Sequence, residues 1–358
     1  MLTELSLTYF RNINKSVLYP VTGVNLLVGE NGSGKTSVLE AIYLLAMGRS
    51  FRSRNLKHVV QNNQQQCQLF ARISQGIPVG LQFSKTTGLQ IRLNNAPLKK
   101  LSELACHLPL QYIPANCHEF FELGPRFRRR VVDWGLFHVE HDFLFHWQAY
   151  KKVLSQRNAA LRNERPNEEI KVWDASLNVH GLKLAQYRRE YLKKLVVQYE
   201  KWFRLLCDDF PKAKFELRYL PGWPKSEDFS EVLHETIDRD RALGYTRAGP
   251  HAADWSIKID GLDPAELFSR GQQKLFFLAI CFAQISIMQQ VKEQKSVLLI
   301  DDLSSELDSN HQRYVLQAIK TLKVQTFVSS TNPDLSAILA LNENDAMFHV
   351  KRGDVRLT

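Results

Sequence analysis

The stretch Gly29 to Thr36, GENGSGKT, fits G-x-x-x-x-G-K-[ST] without a mismatch. Such a loop works only where a buried strand runs into the start of a helix, so it limits the folds open to the chain. Val24-Asn25-Leu26-Leu27-Val28 precedes it as a short apolar strand, and Ser37 to Leu45 follows as an apolar helix. Gly29, Gly32 and Gly34 let the backbone through Glu30, Asn31 and Ser33 curl with its N–H groups inward, and the helix adds its positive end. Lys35 is placed to reach the β- and γ-phosphates of a nucleotide, and the Thr36 hydroxyl to ligate Mg²⁺.

With 358 residues, 44% of them hydrophobic and 23% charged, the chain can build two or three globular units without staples. Its five cysteines are odd in number and form no C-x-x-C, which predicts a reduced, cytoplasmic compartment rather than a disulfide framework or zinc ribbon. Cys106-His107 and Cys117-His118 match no zinc spacing, so cysteine is left out as a metal ligand. Met1 to Leu7 has neither a basic start nor a signal-type apolar core and reads as a strand. Leu275 to Val291 carries no charge but is broken by Gln284, Ser286, Gln289 and Gln290; it is shorter than a membrane span and reads as a buried helix. No membrane partner is expected.

The net charge of +10 is concentrated in the middle of the chain, where Arg126 to Arg204 holds 17 Lys/Arg against 9 Asp/Glu. An excess of that kind favours a polyanion such as nucleic acid, through counterion release. A solvated helix face is the plainer alternative.

Residues 1–112 alternate short strands (Leu5–Tyr9, Val24–Val28, Cys67–Ile73, Val79–Phe83, Leu89–Leu93) with the helix after the cradle. They read as one mixed sheet, with a hairpin at Asn94-Asn95. Beyond Gly124-Pro125, Phe143, Trp147, Tyr150, Leu154 and Leu161 recur at helical spacing with Asp142 as a cap. A second helix from Asp174 carries a stripe of Leu184, Tyr187, Tyr191, Leu195, Tyr199, Trp202 and Leu206, read as core. Arg188, Arg189, Lys193 and Lys194 lie off that stripe or at its border and are the candidate contacts to such a polyanion. Strands return at Phe215–Tyr219 and Asp254–Ile259. The organisation expected is an α/β P-loop domain formed by 1–112 and 245–358, with a mainly helical lobe over 113–244.

Val297-Leu298-Leu299-Ile300-Asp301-Asp302 is an apolar strand ending in two acids, the Walker B pattern. Asp301 is expected to hold Mg²⁺ and Asp302 to orient the attacking water; with Lys35 it is the candidate catalytic residue. Ser269-Arg270-Gly271-Gln272 opens the apolar helix before that strand, and Ser305-Glu306-Leu307-Asp308 follows it. Signature, Walker B and D-loop in this order are characteristic of ABC-type ATPases. In such folds the cradle and the signature do not meet within one subunit, so Ser269, Gly271 and Gln272 are expected to act on ATP held by a facing second copy.

The sequence resembles the RecF family of bacterial recombination-repair proteins, relatives of the heads of SMC-type ATPases. The likeness runs the whole length: Phe10-Arg11-Asn12, GENGSGKTSVLEAIY, Gly48-Arg49-Ser50-Phe51-Arg52, Arg129-Arg130 with Asp133-Trp134, Gln156-Arg157-Asn158, Gly249-Pro250-His251 with Asp254, SRGQQK and LLIDDLSSELD. The resemblance implies an ATP- and Mg²⁺-dependent homodimer that binds double-stranded or gapped DNA, hydrolyses ATP slowly under DNA stimulation, and works with RecO and RecR in repair, replication and the SOS response. It adds Arg11 and Asn12 to the nucleotide site and makes Asp308 the D-loop acid. Two positions depart from the pattern. Ala115-Asn116 replaces an acidic pair, and Ser330 stands where many ABC enzymes carry His, so Ser330 or Thr331 is left to sense the γ-phosphate. The rival readings are the ATPase subunit of another ABC machine, such as a transporter, and a nucleotide-gated scaffold with negligible hydrolysis.

Overall fold

The computed structural model describes residues 1–224, 227–292, 295–332, 335–339 and 342–358. Strands of two kinds organise them. In β1 (Leu2–Phe10), β2 (Ile13–Leu18), β3 (Val24–Val28), β4 (Gln66–Ile73), β5 (Ile77–Ser84), β6 (Gly88–Leu93) and β7 (Ala96–Pro97), all but β3 join one antiparallel sheet, in the order β2-β1-β4-β5-β6-β7. Its strands alternate: β4 buries Cys67, Leu69, Ala71 and Ile73 and turns the residues between them outward. One face of this sheet is therefore core and the other wet.

The later strands are β8 (Leu110–Ile113), β9 (Phe215–Leu220), β10 (Asp254–Ile259), β11 (Val297–Ile300), β12 (Gln325–Ser330), β13 (Ala346–Lys351) and β14 (Asp354–Leu357). A second sheet runs β14-β13-β3-β12-β11-β8, parallel except for β14 at its edge. Every residue of β3, β11 and β12 is buried, as expected of parallel strands covered on both faces. Residues 1–112 thus divide between two sheets where the sequence reads as one mixed sheet. The reason is that β3 leaves the hairpin series to join strands about 300 to 320 residues further on, a pairing that local periodicity does not carry.

The long helices are α1 (Lys35–Met47), α2 (Pro125–Val139), α3 (Phe143–Arg162), α4 (Asp174–Leu206), α5 (Arg270–Lys292) and α6 (Ser309–Leu322). Helix α1 packs against β1, β4 and β5 of one sheet and β12 of the other, which explains why it is apolar almost all round. Helix α5 lies across β8, α2 and α4. It is longer than its uncharged stretch indicates, and is long and apolar enough to cross a membrane; 78% of its most apolar window is buried inside the protein instead.

On α4, Leu184, Tyr191, Leu195, Tyr199, Trp202 and Leu206 are buried and Tyr187 half-buried, so the stripe is core. Gly135 of α2 lets α4 approach: a Cβ there would lie 1.9 Å from the Tyr191 hydroxyl. Asp142 occupies the position before α3 but makes no side-chain cap bond. Asn94 and Asn95, both at positive φ, turn β6 into β7 as a hairpin. Strands β9 and β10 pair with each other, in a sheet of their own that spans position 245.

Candidate nucleotide site

The cradle hangs between β3 and α1, with Gly32 at φ 78° and Gly34 at φ 123°, conformations that favour glycine. At Gly29 the constraint is space: a Cβ would sit 2.2 Å from the Val350 carbonyl of β13. Asn12 holds the loop from behind, its Nδ2 donating to the carbonyls of Gly32 and Ser33 (3.2 and 3.0 Å) and its Oδ1 accepting from Ser37 (3.1 Å). Arg11 reaches the helix instead, with a two-pronged pairing to Glu40 (2.8 and 2.6 Å) and a bond to the His58 carbonyl. Glu40 is fully buried on α1 and also accepts from Ser50. A buried, doubly held carboxylate like this fixes α1 against the Arg11 turn, whose φ is 53°.

Lys35 folds over the loop, donating Nζ to the carbonyls of Gly29 (2.6 Å) and Glu30 (2.9 Å). Burial lowers its pKa, and the nearby Asp302 and Asp301 charges oppose that shift. Thr36 donates to Asp301 Oδ1 (3.0 Å), which also accepts from Ser329 (2.7 Å). The cradle and the end of the Walker B strand are therefore already in contact. Asp302 adopts φ 46°, an αL conformation that Asp tolerates better than most residues. Its N–H donates to Ser329 Oγ (2.8 Å) and its carboxylate accepts from Ser304 (3.2 Å).

These groups face a cavity of about 780 Å³, lined among others by Asn12, Asn31, Lys35, Thr36, Asp301 and Thr331. Arg11, Gly32, Gly34, Arg52 and Asp302 complete most of its polar wall. The Lys35 ammonium and the Arg52 guanidinium on the cavity wall fit a polyphosphate, and Thr36 with Asp301 offers oxygen ligands of the kind Mg²⁺ takes. Of the two switch candidates, Thr331 lines the cavity, whereas Ser330 is fully buried with its Oγ 3.0 Å from that of Ser304. Ala115 and Asn116 do not line it; Asn116 bonds to Glu119.

Ser269, Gly271 and Gln272 lie outside this cavity. Ser269 and Gln272 form a capping box at the start of α5: Gln272 N–H donates to Ser269 Oγ (3.3 Å) and Ser269 N–H to Gln272 Oε1 (3.0 Å). Gly271 is pressed against the Glu306 carbonyl, 2.6 Å from where a Cβ would stand. Asp308 caps α6 by accepting from the Asn310 and His311 N–H groups, which contributes to lowering its pKa.

One of the four candidate DNA contacts is overturned. Arg188 is buried and spans Asp133 with two bonds (2.8 and 2.9 Å), with a third to the Pro250 carbonyl (2.6 Å). It holds α4 to α2 and is not available to a phosphate. Arg189, Lys193 and Lys194 are exposed. The sequence reading also missed Glu40, Ser304 and Ser329, single polar residues in apolar or loop surroundings that no motif spacing marks.

Two sheets, a P-loop between strand and helix, an acidic strand end in contact with it, and a serine-capped helix outside it define an ATPase head of the SMC/ABC class. The profile of the RecF/RecN/SMC N-terminal domain matches residues 1–355. The chain is 38% identical to the DNA replication and repair protein RecF of Nitrosococcus oceani, over 99% of this chain and 98% of that one. The RecF of Pseudoalteromonas translucida is likewise 38% identical, over 99% of each. A solved structure of the recombination mediator RecF with ATP, of the RecFOR pathway, superposes with a TM-score of 0.85 at 26% identity, covering 100% of this chain and 97% of that one. A Pyrococcus furiosus Smc head shares the fold, with a TM-score of 0.61 at 16% identity over 100% of this chain and 95% of that one. The chain belongs to the RecF family.

Proposed function

We propose that this protein is a cytoplasmic DNA-repair ATPase whose ATP-bound homodimer closes on double-stranded or gapped DNA, with hydrolysis as the release step, in concert with RecO and RecR. The observation that carries this reading is the split site. Lys35, Thr36, Asp301 and Asp302 share one cavity, and the signature serine stands outside it with its hydroxyl on the surface turn of α5. A second copy facing the first supplies the missing serine to each cavity.

In this assignment Lys35 binds the β- and γ-phosphates, Thr36 and Asp301 hold Mg²⁺, and Asp302 orients the attacking water. Asn12 positions the loop, Arg11 positions α1 through Glu40, and Thr331 rather than Ser330 faces the γ-phosphate. Mg²⁺ supplies charge neutralisation on the phosphates when bound.

For DNA, the exposed Arg49 and Arg54 after α1 stand beside Arg126 and Arg130 of α2. Desolvation and then the charges of Arg126, Arg49 and Arg54 lower the pKa of Arg130. Like charges crowded at a surface favour a polyanion that neutralises them. Arg189, Lys193 and Lys194, exposed on α4, are the further proposed DNA contacts.

Sedimentation of the pure protein with no nucleotide, ADP or ATP, each with and without duplex DNA, tests the proposal. Dimer in ATP alone, strengthened by DNA and accompanied by phosphate release, is expected. A monomer in every nucleotide state overturns it, and an ATP dimer without phosphate release leaves the scaffold reading in its place.

A further inference from the structure

We propose that Cys207, Asp209 and His311 form a binding site for a zinc-like divalent cation beside the signature turn. One ligand atom from each, a sulfur, a carboxylate oxygen and a ring nitrogen, lies within 4.8 Å of the other two. Tetrahedral zinc with bonds of about 2.0 to 2.3 Å needs ligand atoms roughly 3.3 to 3.8 Å apart. Cys207 Sγ and Asp209 Oδ2 are already at 3.6 Å, within that range.

The histidine has the surroundings of a ligand. Its Nδ1 is held by Asp308 Oδ2 at 2.8 Å, while its Nε2 is shielded from solvent and has no hydrogen-bond partner among the described residues. A carboxylate on one ring nitrogen and a cation on the other is the usual arrangement of metal-bound histidine, because it fixes the tautomer and the ring plane. The three residues come from the end of α4 and the start of α6 and are separated by up to 104 positions, so no sequence spacing reveals them. On binding, the Cys207 thiol exchanges its proton for the cation, the proton leaves to solvent, and water fills the fourth position.

Asp209 Oδ2 is also the acceptor for Gln272 Nε2, at 2.6 Å. The other end of Gln272 accepts the Ser269 N–H. A cation that takes the Asp209 oxygen therefore competes with Gln272 and frees one arm of the capping box that sets the signature serine. Cation binding stands apart from the nucleotide reading; only this effect on ATP-driven closure rests on it.

The test is a Co²⁺ titration of the full-length, nucleotide-free protein, followed by absorbance. We expect a thiolate-to-cobalt charge-transfer band that saturates at one equivalent and is bleached by Zn²⁺. The band is lost in Cys207→Ser and kept in Cys106→Ser, binding weakens at least tenfold in His311→Gln, and Asp308→Asn weakens it roughly 10- to 100-fold through the ring it orients. Absence of the band, its persistence in Cys207→Ser, or unchanged affinity in His311→Gln overturns the site. Should Cys207→Ser not fold, His311→Gln and Asp209→Asn decide by the same titration.

Discussion

Lys274, on the second turn of α5, donates its Nζ to the carbonyl oxygens of Asp302 (2.7 Å) and Ser305 (2.8 Å). The ammonium is fully buried, and burial lowers its pKa against the pull of the acids around it. It ties the start of α5 directly to the turn that carries Asp302.

Replacing Lys274 by Met keeps the volume and leaves two partly buried carbonyls without this donor, at a cost of up to about 1 to 3 kcal/mol for each such group. The Asp302 turn, held at positive φ, then loses a restraint. Lys274→Met is expected to bind ATP near normally and to hydrolyse it at least tenfold more slowly. Equal phosphate-release rates in variant and parent would show that the turn holds without the lysine.

The proposed facing of two copies predicts complementation. Lys35→Met removes a charge-assisted phosphate contact, and Ser269→Arg fills the space of the signature hydroxyl. Each alone is expected to give no ATP-dependent dimer, although Ser269→Arg still binds ATP as a monomer. Mixed together, the two chains form one site damaged twice and one intact, so energy transfer between labelled chains should return in ATP. Loss of monomeric ATP binding in Ser269→Arg would place the serine in its own chain's site.

Arg188→Gln breaks a largely buried ion pair and strands Asp133, a change that typically costs about 3 to 5 kcal/mol. The thermal midpoint is expected to fall, and the salt dependence of DNA binding by the protein that stays folded to remain the same. Changing Arg49, Arg54, Arg126 and Arg130 to Gln is expected to do the reverse. If all four meet phosphates, the log–log salt slope becomes shallower by about 3 to 4 with little change in stability.

Burial, with a smaller push from Lys292, lowers the pKa of His138 to about 4. Since the unfolded value is about 6.5, the unfolded chain binds the extra proton between those pH values. The contribution of this site is complete above pH 6.5 and is lost as the pH falls toward 4. Urea unfolding should show a loss on the order of 2 kcal/mol from pH 7 to pH 5. That slope is expected to flatten in His138→Leu; an identical slope would assign it to other groups.

What the sequence carried depends on how locally each feature is written. The cradle, the Walker B strand and the capping serine each occupy a few consecutive residues with a fixed chemical demand, and they could be read directly. The α4 stripe was legible because core packing repeats at the helical period. Charge was the poorer guide: Arg188 and Arg189 are neighbours of the same type, and only the fold separates a buried strut from an exposed cation. The division into two sheets was hidden for a related reason, since β3 pairs with β12 and β13 from the far end of the chain.

Helix α5 is rooted at Ser269 and runs 23 residues, roughly 35 Å, through close-packed surroundings. Trp202 of α4 pins it near its far end by donating to Ser286 (2.9 Å). Interiors of this density scarcely compress, so the helix moves as a rod or not at all. A displacement imposed at the Ser269 end would thereby reach α4 through the whole length of the helix.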